Sequence, residues 1–237
     1  MNNTIIWLAI IGIASLLVLF SMTFPRLKQI ALIRRTPGGY ISAFPYDGQV
    51  KVSGKTGPAV AESIITETDC AFWQVEIEER RGGKNSHWVS LLKRTSPEPF
   101  EVLDESSRIV VQPEGASLVM RNDMQKSGGI FSNLDQSMLD KIESLGVETT
   151  GTFGFKKTLR VSERFILPGE PVFVLGQIKI VDGRRQIVGS QEDSLIISDR
   201  VEAELLRWLY GQAVLWLVLI PLGVVLIAWL FLGNLGQ

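Results

Sequence analysis

Ile5-Ile-Trp-Leu-Ala-Ile-Ile-Gly-Ile-Ala-Ser-Leu-Leu-Val-Leu-Phe-Ser-Met-Thr-Phe24 carries no charged side chain, and neither does Leu209 to Leu232 at the other end. Every charged residue lies between Arg26 and Arg207. At about 1.5 Å per residue, a helix over the first run reaches roughly 30 Å, the thickness of a bilayer's hydrocarbon core. The pattern reads as a membrane protein with two transmembrane helices, 5–24 and 209–232, around one polar domain. Trp7 and Trp229 near the outer limits, and Phe24, Trp208 and Tyr210 near the inner ones, suit aromatic belts at headgroup level. A cleaved signal peptide fits worse, because Met1 to Thr4 has no basic residue and Ser21 to Pro25 is a poor processing site. Pro221 and Gly223 in the second run mark a kink or packing notch, or a helix that tolerates them.

Basic residues set the expected orientation. Arg26, Lys28, Arg34 and Arg35 form a juxtamembrane segment, 26–35, directly after the first run, and Arg200 and Arg207 precede the second. Both tails lack Lys and Arg, so the positive-inside rule puts the domain in the cytoplasm and both termini outside. The single cysteine, Cys70, offers no disulfide and suits a reducing compartment. A net charge of −1 argues against nucleic acid as a partner.

The stretch 36–205 reads as one domain of mostly β texture. Gly48-Gln-Val50-Lys-Val52-Ser-Gly54 alternates apolar with polar, the period of a half-buried strand. Ala71 to Glu79 and Trp88 to Lys93 flank the glycine-rich loop Arg80-Arg81-Gly82-Gly83-Lys84. Phe100 to Leu103 and Ile109 to Val111 are short strands around a polar turn. Val172 to Val181 and Gln186 to Ile197 are joined through Asp182-Gly183, a strong hairpin signal. One helix is expected, capped by Ser132 or Asn133, with Leu134, Met138, Leu139, Ile142 and Leu145 on its apolar face and Gly146 as its stop. With a single helix among many short strands, the domain is expected to be a small barrel or sandwich of α+β type.

Three groups of residues carry a family resemblance. Trp88-Val89 with Pro99-Phe100-Glu-Val-Leu-Asp104, then Val110-Val-Gln-Pro113-Glu-Gly-Ala116, and above all Leu159-Arg160-x-x-Glu163-x-x-Ile166-x-Pro168-Gly169-Glu170-x-Val172-x-Val174-Leu175-Gly176 resemble the GIDE domain, also called BAM for "beside a membrane". The resemblance implies a domain between two spans. Its named relatives are mitochondrial and chloroplast ubiquitin ligases in which a RING follows the second span. A RING needs about eight Cys and His ligands for two zinc ions, whereas this chain has Cys70 and His87. Ligase activity is therefore not carried over. The chain resembles the prokaryotic, RING-less members, which implies a bacterial inner membrane. It departs from the family at Glu105-Ser106-Ser107-Arg108, where Thr-Gly is usual.

The signature residues have a structural reading first. Gly169 after Pro168 suits the φ > 0 corner of a type II turn. Glu163 and Glu170 flank that turn and are expected to be solvated or bonded to backbone amides rather than to act as acid and base. Asp104 is expected to close its hairpin, and Trp88 to be a core or groove aromatic. Cys70 and His87 are candidates for a nucleophile and base that Ser86, Ser90 or Asp104 could join, and no nucleophile elbow surrounds these serines. No metal, nucleotide or other cofactor is expected. Arg26, Lys28, Arg34 and Arg35 either only fix orientation or form an anionic-lipid surface with Arg80, Arg81, Lys84, Arg184 and Arg185. The expected function is a membrane-anchored binding, scaffold or sensor module, not an enzyme, for a peptide, partner protein or lipid headgroup. The alternatives are a RING-less subunit of a ubiquitin-ligase-like complex and a Cys/His hydrolase.

Overall fold

The computed structural model describes residues 2–82, 85–121, 123–128, 134–151, 156–189 and 195–233. Among the described residues the α-helices are α1 (Asn2–Arg35), α2 (Gln136–Ser144) and α3 (Glu202–Gly233). The chain divides into two compact units, Met1–Thr36 with Glu202–Gln237, and Pro37–Val201.

The first unit is the pair α1 and α3, which run antiparallel, with the Arg34 guanidinium 5.2 Å over the Tyr210 ring. Buried positions recur at Thr23, Ile30 and Ile33 on one helix and Leu205, Leu209 and Ala213 on the other. This spacing of three, four or seven keeps one stripe of each helix inward. Leu16, Leu17, Phe20, Leu215, Val218 and Leu222 are exposed on the remaining surface. α1 runs unbroken through Pro25 into the basic segment. Both helices are long and apolar enough to cross a membrane.

In the second unit the strands are β1 (Gly48–Thr56), β2 (Ala61–Glu62), β3 (Asp69–Cys70), β4 (Phe72–Arg81), β5 (His87–Thr95), β6 (Phe100–Leu103), β7 (Arg108–Val111), β8 (Ser117–Val119), β9 (Met124–Gly128), β10 (Leu159–Ile166), β11 (Pro171–Val181), β12 (Arg184–Val188) and β13 (Ile196–Ser198). β1 pairs with β11 from Gly48↔Ile178 to Lys55↔Pro171, then passes its last residues to β6. The β6–β7 hairpin, the parallel pair β7–β12 and the β12–β11 hairpin return to β11. Five strands thus close into a barrel, filled by Val50, Val52, Phe100, Val102, Val174, Ile178 and Ile187. Closure leaves no free edge among these five, and side chains fill the interior of a barrel this small.

A second, antiparallel sheet of order β5-β4-β10-β9 carries α2 on one face. Trp73, Val75, Ile77, Leu159 and Val161 meet Met138, Leu139 and Ile142 there. The amphipathic spacing of α2 produces that contact. Its cap differs from expectation. Asp135, not Ser132 or Asn133, accepts the Met138 amide at 2.8 Å, and the latter two lie outside the described residues. The flanking Leu134 and Leu139 are both buried in the same core, as in a hydrophobic staple. Gly146 ends the helix at φ 85°.

The Asp182-Gly183 turn forms with φ 49° and 73°, the left-handed pair that a two-residue hairpin requires. The single strand expected from Gln186 to Ile197 is corrected to two, β12 and β13. An unbroken strand from Val188 opposite Gln177 would set residue 190 against Leu175, but Ile196 stands there. β13 instead joins β8 in parallel and extends the sheet beyond the barrel.

Candidate functional site

The signature turn is a brace between the two sheets. Leu167-Pro168-Gly169-Glu170 closes through Glu170 N–H to the Leu167 carbonyl at 3.2 Å, with Gly169 at φ 79°. Thr56, at the end of β1, fastens it. Its carbonyl accepts the Gly169 amide at 3.1 Å, its amide donates to the Glu170 carbonyl at 3.0 Å, and its hydroxyl donates to the Leu167 carbonyl at 2.6 Å. The Glu170 carboxylate accepts the Leu167 amide at 2.9 Å. Both carboxylates of the signature are therefore occupied by backbone donors, because Glu163 is fully buried and accepts from the Ile65 amide at 2.9 Å, the Thr66 amide at 3.0 Å and the Thr66 hydroxyl at 2.7 Å. Glu163 is enclosed, whereas Glu170 is half-buried at the turn.

Asp104 closes its hairpin and does more. It accepts the Ser106 amide and hydroxyl, each at 2.7 Å, and the Ser107 amide at 2.9 Å. Its other oxygen takes the Ile41 amide at 2.7 Å, and Ser106 Oγ takes the Ser42 amide at 3.1 Å. These are the first free donors of a short 3-10 turn, Ile41–Ala43, so the hairpin caps a segment about sixty residues away in sequence, where an open turn end would leave amides unpaired. Ser106, at the departure from the family pattern, thus has a defined role. Burial alone would raise the Asp104 carboxyl, but the hydrogen bonds from Ile41, Ser106 and Ser107 outweigh it and hold it below the ordinary carboxylate range. A depressed carboxylate stabilises the fold above its unfolded-state pKa, and this contribution is lost as pH falls through its folded pKa. The expected result is that Asp104→Asn is less stable at neutral pH and loses less stability on acidification than wild type, read from melting temperature against pH.

Phe100 is fully buried, 5.7 Å ring to ring from Phe72. Gly176 lies where β11 meets β12 closely, and an added Cβ would stand 2.6 Å from Ile187 Cγ2. Trp88 is half-buried on β5, with the Arg160 guanidinium 4.4 Å over its ring. Arg160 is in turn held by Glu78 through two bonds at 2.6 and 2.8 Å. Aromatic, cation and carboxylate form one cross-strand stack on the face of the second sheet opposite α2.

The basic residues are distributed unevenly. Arg26, Lys28, Arg34 and Arg35 all lie on α1, with Lys28 4.7 Å over the Phe24 ring. On the β4–β5 hairpin Arg81 pairs with Glu79 at 2.7 Å and Arg80 bonds Ser86 at 2.8 Å, and Lys84 is outside the described residues. Arg184 and Arg185 begin β12 and line a cleft of about 370 Å³ together with Arg108, Glu101, Ile41 and Val110. Arg185 bonds the Phe44 carbonyl and lies 5.6 Å over the Tyr46 ring. Arg108 was not a candidate in the sequence. Its closeness to Arg184 arises from the parallel β7–β12 pairing, which joins segments some seventy residues apart and leaves no local pattern.

The reading of Cys70 and His87 as nucleophile and base is corrected. Cys70 precedes the start of β4 and His87 pairs with Arg81 at its far end. Ten residues of strand, at roughly 3.3 Å each, separate them by about 30 Å. Burial, followed by the nearby Glu163 charge, pushes the Cys70 thiol up to about 11, so it stays protonated at neutral pH, and the thiolate is the reactive form. A maleimide should leave the native protein unlabelled at neutral pH and modify one thiol after denaturation. Equal labelling rates in both states would contradict the buried placement.

No curated protein and no solved structure matches the chain. A sequence model of one family, described as GIDE, E3 Ubiquitin ligase, matches residues 74–233, from β4 to the end of α3 and across all three groups of signature residues, and the chain belongs to the GIDE family.

Proposed function

We propose that the protein is a two-span, membrane-anchored binding module, a scaffold or sensor whose β domain meets its ligand at the membrane surface. The observation that carries this reading is the pair of long apolar helices, α1 and α3, entering and leaving one closed domain. Tethering at both ends raises the effective concentration of any ligand that is also on the membrane. α1 has 34 residues, about 50 Å of helix against a hydrocarbon core of roughly 30 Å. With 5–24 in the core, Arg26, Lys28, Arg34 and Arg35 fall at and beyond the headgroups. On this reading the positive-inside rule turns the domain to the cytoplasm, and the likeness to RING-less prokaryotic members favours a bacterial inner membrane. The signature carboxylates are bound to backbone amides and Cys70 is far from His87, so binding is favoured over catalysis. The family's description points to ubiquitin ligation. One cysteine and one histidine do not make a RING, and in a ligase complex the RING would be supplied by residues outside this sequence.

The test is flotation and topology of the full chain. It should float with vesicles and resist alkaline extraction. A reporter fused after Gln237 should be active only if it works outside the cytoplasm, and one inserted near Gly128 only if it works inside. Recovery in the soluble fraction removes the anchoring, and the reverse reporter pattern removes the orientation.

A further inference from the structure

We infer that the cleft on the β6–β7–β12 side of the barrel binds a phosphate monoester. Its lining residues include three arginines, Arg108, Arg184 and Arg185, against one acid, Glu101. Glu101 lies 3.7 Å from Arg108, whose side chain remains 71% exposed. Among the described residues neither Arg184 nor Arg185 has a carboxylate partner. β7 and β12 are parallel, with Val110 beside Gln186, and continuing that register by two residues sets Arg108 beside Arg184. Like charges on neighbouring strands repel. Here the barrel's closure enforces that repulsion, and a divalent oxyanion between the two guanidiniums would relieve it.

The remaining parts of the cleft suit the same ligand. Arg185 is oriented before any ligand arrives, by the Phe44 carbonyl and the Tyr46 ring, and these contacts leave most of its five donors free. Guanidinium forks match phosphate oxygens in pairs. A volume of about 370 Å³ is at the lower end of small-molecule sites and suits a phosphate with a short ester group. Ile41 and Val110 give that group an apolar wall. Glu101 competes for Arg108 and is displaced when the anion binds. The ligand's source is either a phospholipid headgroup or a soluble phosphomonoester. Only the first depends on the membrane-anchored reading proposed above.

The experiment uses the full chain in phosphatidylcholine nanodiscs, with glycerol 3-phosphate and inorganic phosphate titrated by calorimetry. Saturable binding is expected. Arg184→Gln and Arg108→Gln should each weaken it about tenfold, a loss of one strong charged contact, Glu101→Gln should tighten it, and Arg81→Gln on the other hairpin should leave it unchanged. Melting temperatures check that each variant folds, and if Arg108→Gln does not, the opposite effects of Arg184→Gln and Glu101→Gln decide. Discs containing phosphatidic acid should then suppress glycerol 3-phosphate binding if the source is lipid, and discs of phosphatidylglycerol at equal charge should not. Full binding in both kinds of disc assigns the site to a soluble ligand. No saturable binding of any probe, or binding that ignores Arg184→Gln and Arg108→Gln, overturns the inference. Failure of flotation would remove the anchoring reading and leave the soluble-probe result standing.

Discussion

Glu163→Ala is expected to destabilise the domain by about 4 kcal/mol, and Glu163→Gln by about 2 kcal/mol, because a buried acceptor is lost while the Ile65 amide it serves stays buried. The carboxylate is fully buried and serves three donors on one segment, Ile65 and Thr66. Alanine leaves the buried Ile65 amide without an acceptor, takes the carboxylate from the Thr66 amide and hydroxyl at the loop surface, and opens a cavity under Ile65. Glutamine keeps one acceptor oxygen and turns an NH2 group toward a backbone amide that cannot accept it, Ile65 or Thr66 according to its orientation. The loop it holds is otherwise braced internally, through Ser63 Oγ to Thr66 Oγ1 at 2.8 Å and the Thr68 amide to Ser63 Oγ at 3.0 Å. Lys141 of α2 adds a bond to the Ile65 carbonyl at 2.8 Å. Glu163 is therefore the clamp between β10 and a loop that also reaches α2. Glu170→Gln is the control. It touches one amide at a turn that Thr56 also holds, and it should shift stability by less than about 1 kcal/mol. Thermal melts of the full chain in detergent give the comparison, and equal shifts for Glu163→Gln and Glu170→Gln would remove the clamp.

Local features of this fold were readable in the sequence and long-range ones were not. Asp182-Gly183 and Pro168-Gly169 are visible because a left-handed backbone is demanded of particular residue types at adjacent positions, and both turns form. The apolar spacing of α2 likewise specifies its face, although three neighbouring polar residues compete for its cap and Asp135 has it. By contrast, the expectation of a barrel or sandwich stayed open because closure depends on β1 meeting both β11 and β6 and on β7 meeting β12. Those registers are properties of pairs of distant segments, and period-two alternation looks the same whichever partner a strand takes. The partners of Glu163 and Asp104 were hidden for another reason. They are backbone amides, which every residue but proline possesses, so nothing in Ile41, Ile65 or Thr66 marks them as donors. The arginine cleft combines both difficulties, since one of its walls is set by the barrel register and its charges look like ordinary surface residues in the chain.

Gly54→Ala is expected to destabilise the domain by about 3 kcal/mol, the upper part of the range for overpacking, through the point where the barrel closes. At Gly54 β1 still faces Val172 of β11, and one residue later Lys55 also pairs with Leu103 of β6. A strand that serves two partners at once must bend, and the bend brings the Leu103 carbonyl against Gly54. A Cβ there would lie 2.3 Å from the Leu103 oxygen and 3.0 Å from its carbon. The obstacle is backbone, so no rotamer change relieves it. Either β6 moves out, loosening the Phe100 and Val102 side chains that fill the barrel, or β1 straightens and gives up the Lys55 and Thr56 pairings. Gly169→Ala separates this from the general effect of losing a glycine. That position has φ 79° with open space around its Cβ, so it carries only the strain of a left-handed residue, about 1 kcal/mol. Both variants lose the same unfolded-state freedom, and the difference between their melting temperatures isolates the steric term. If Gly54→Ala melts with or above Gly169→Ala, the β1–β6 crossing is not the tight point of closure.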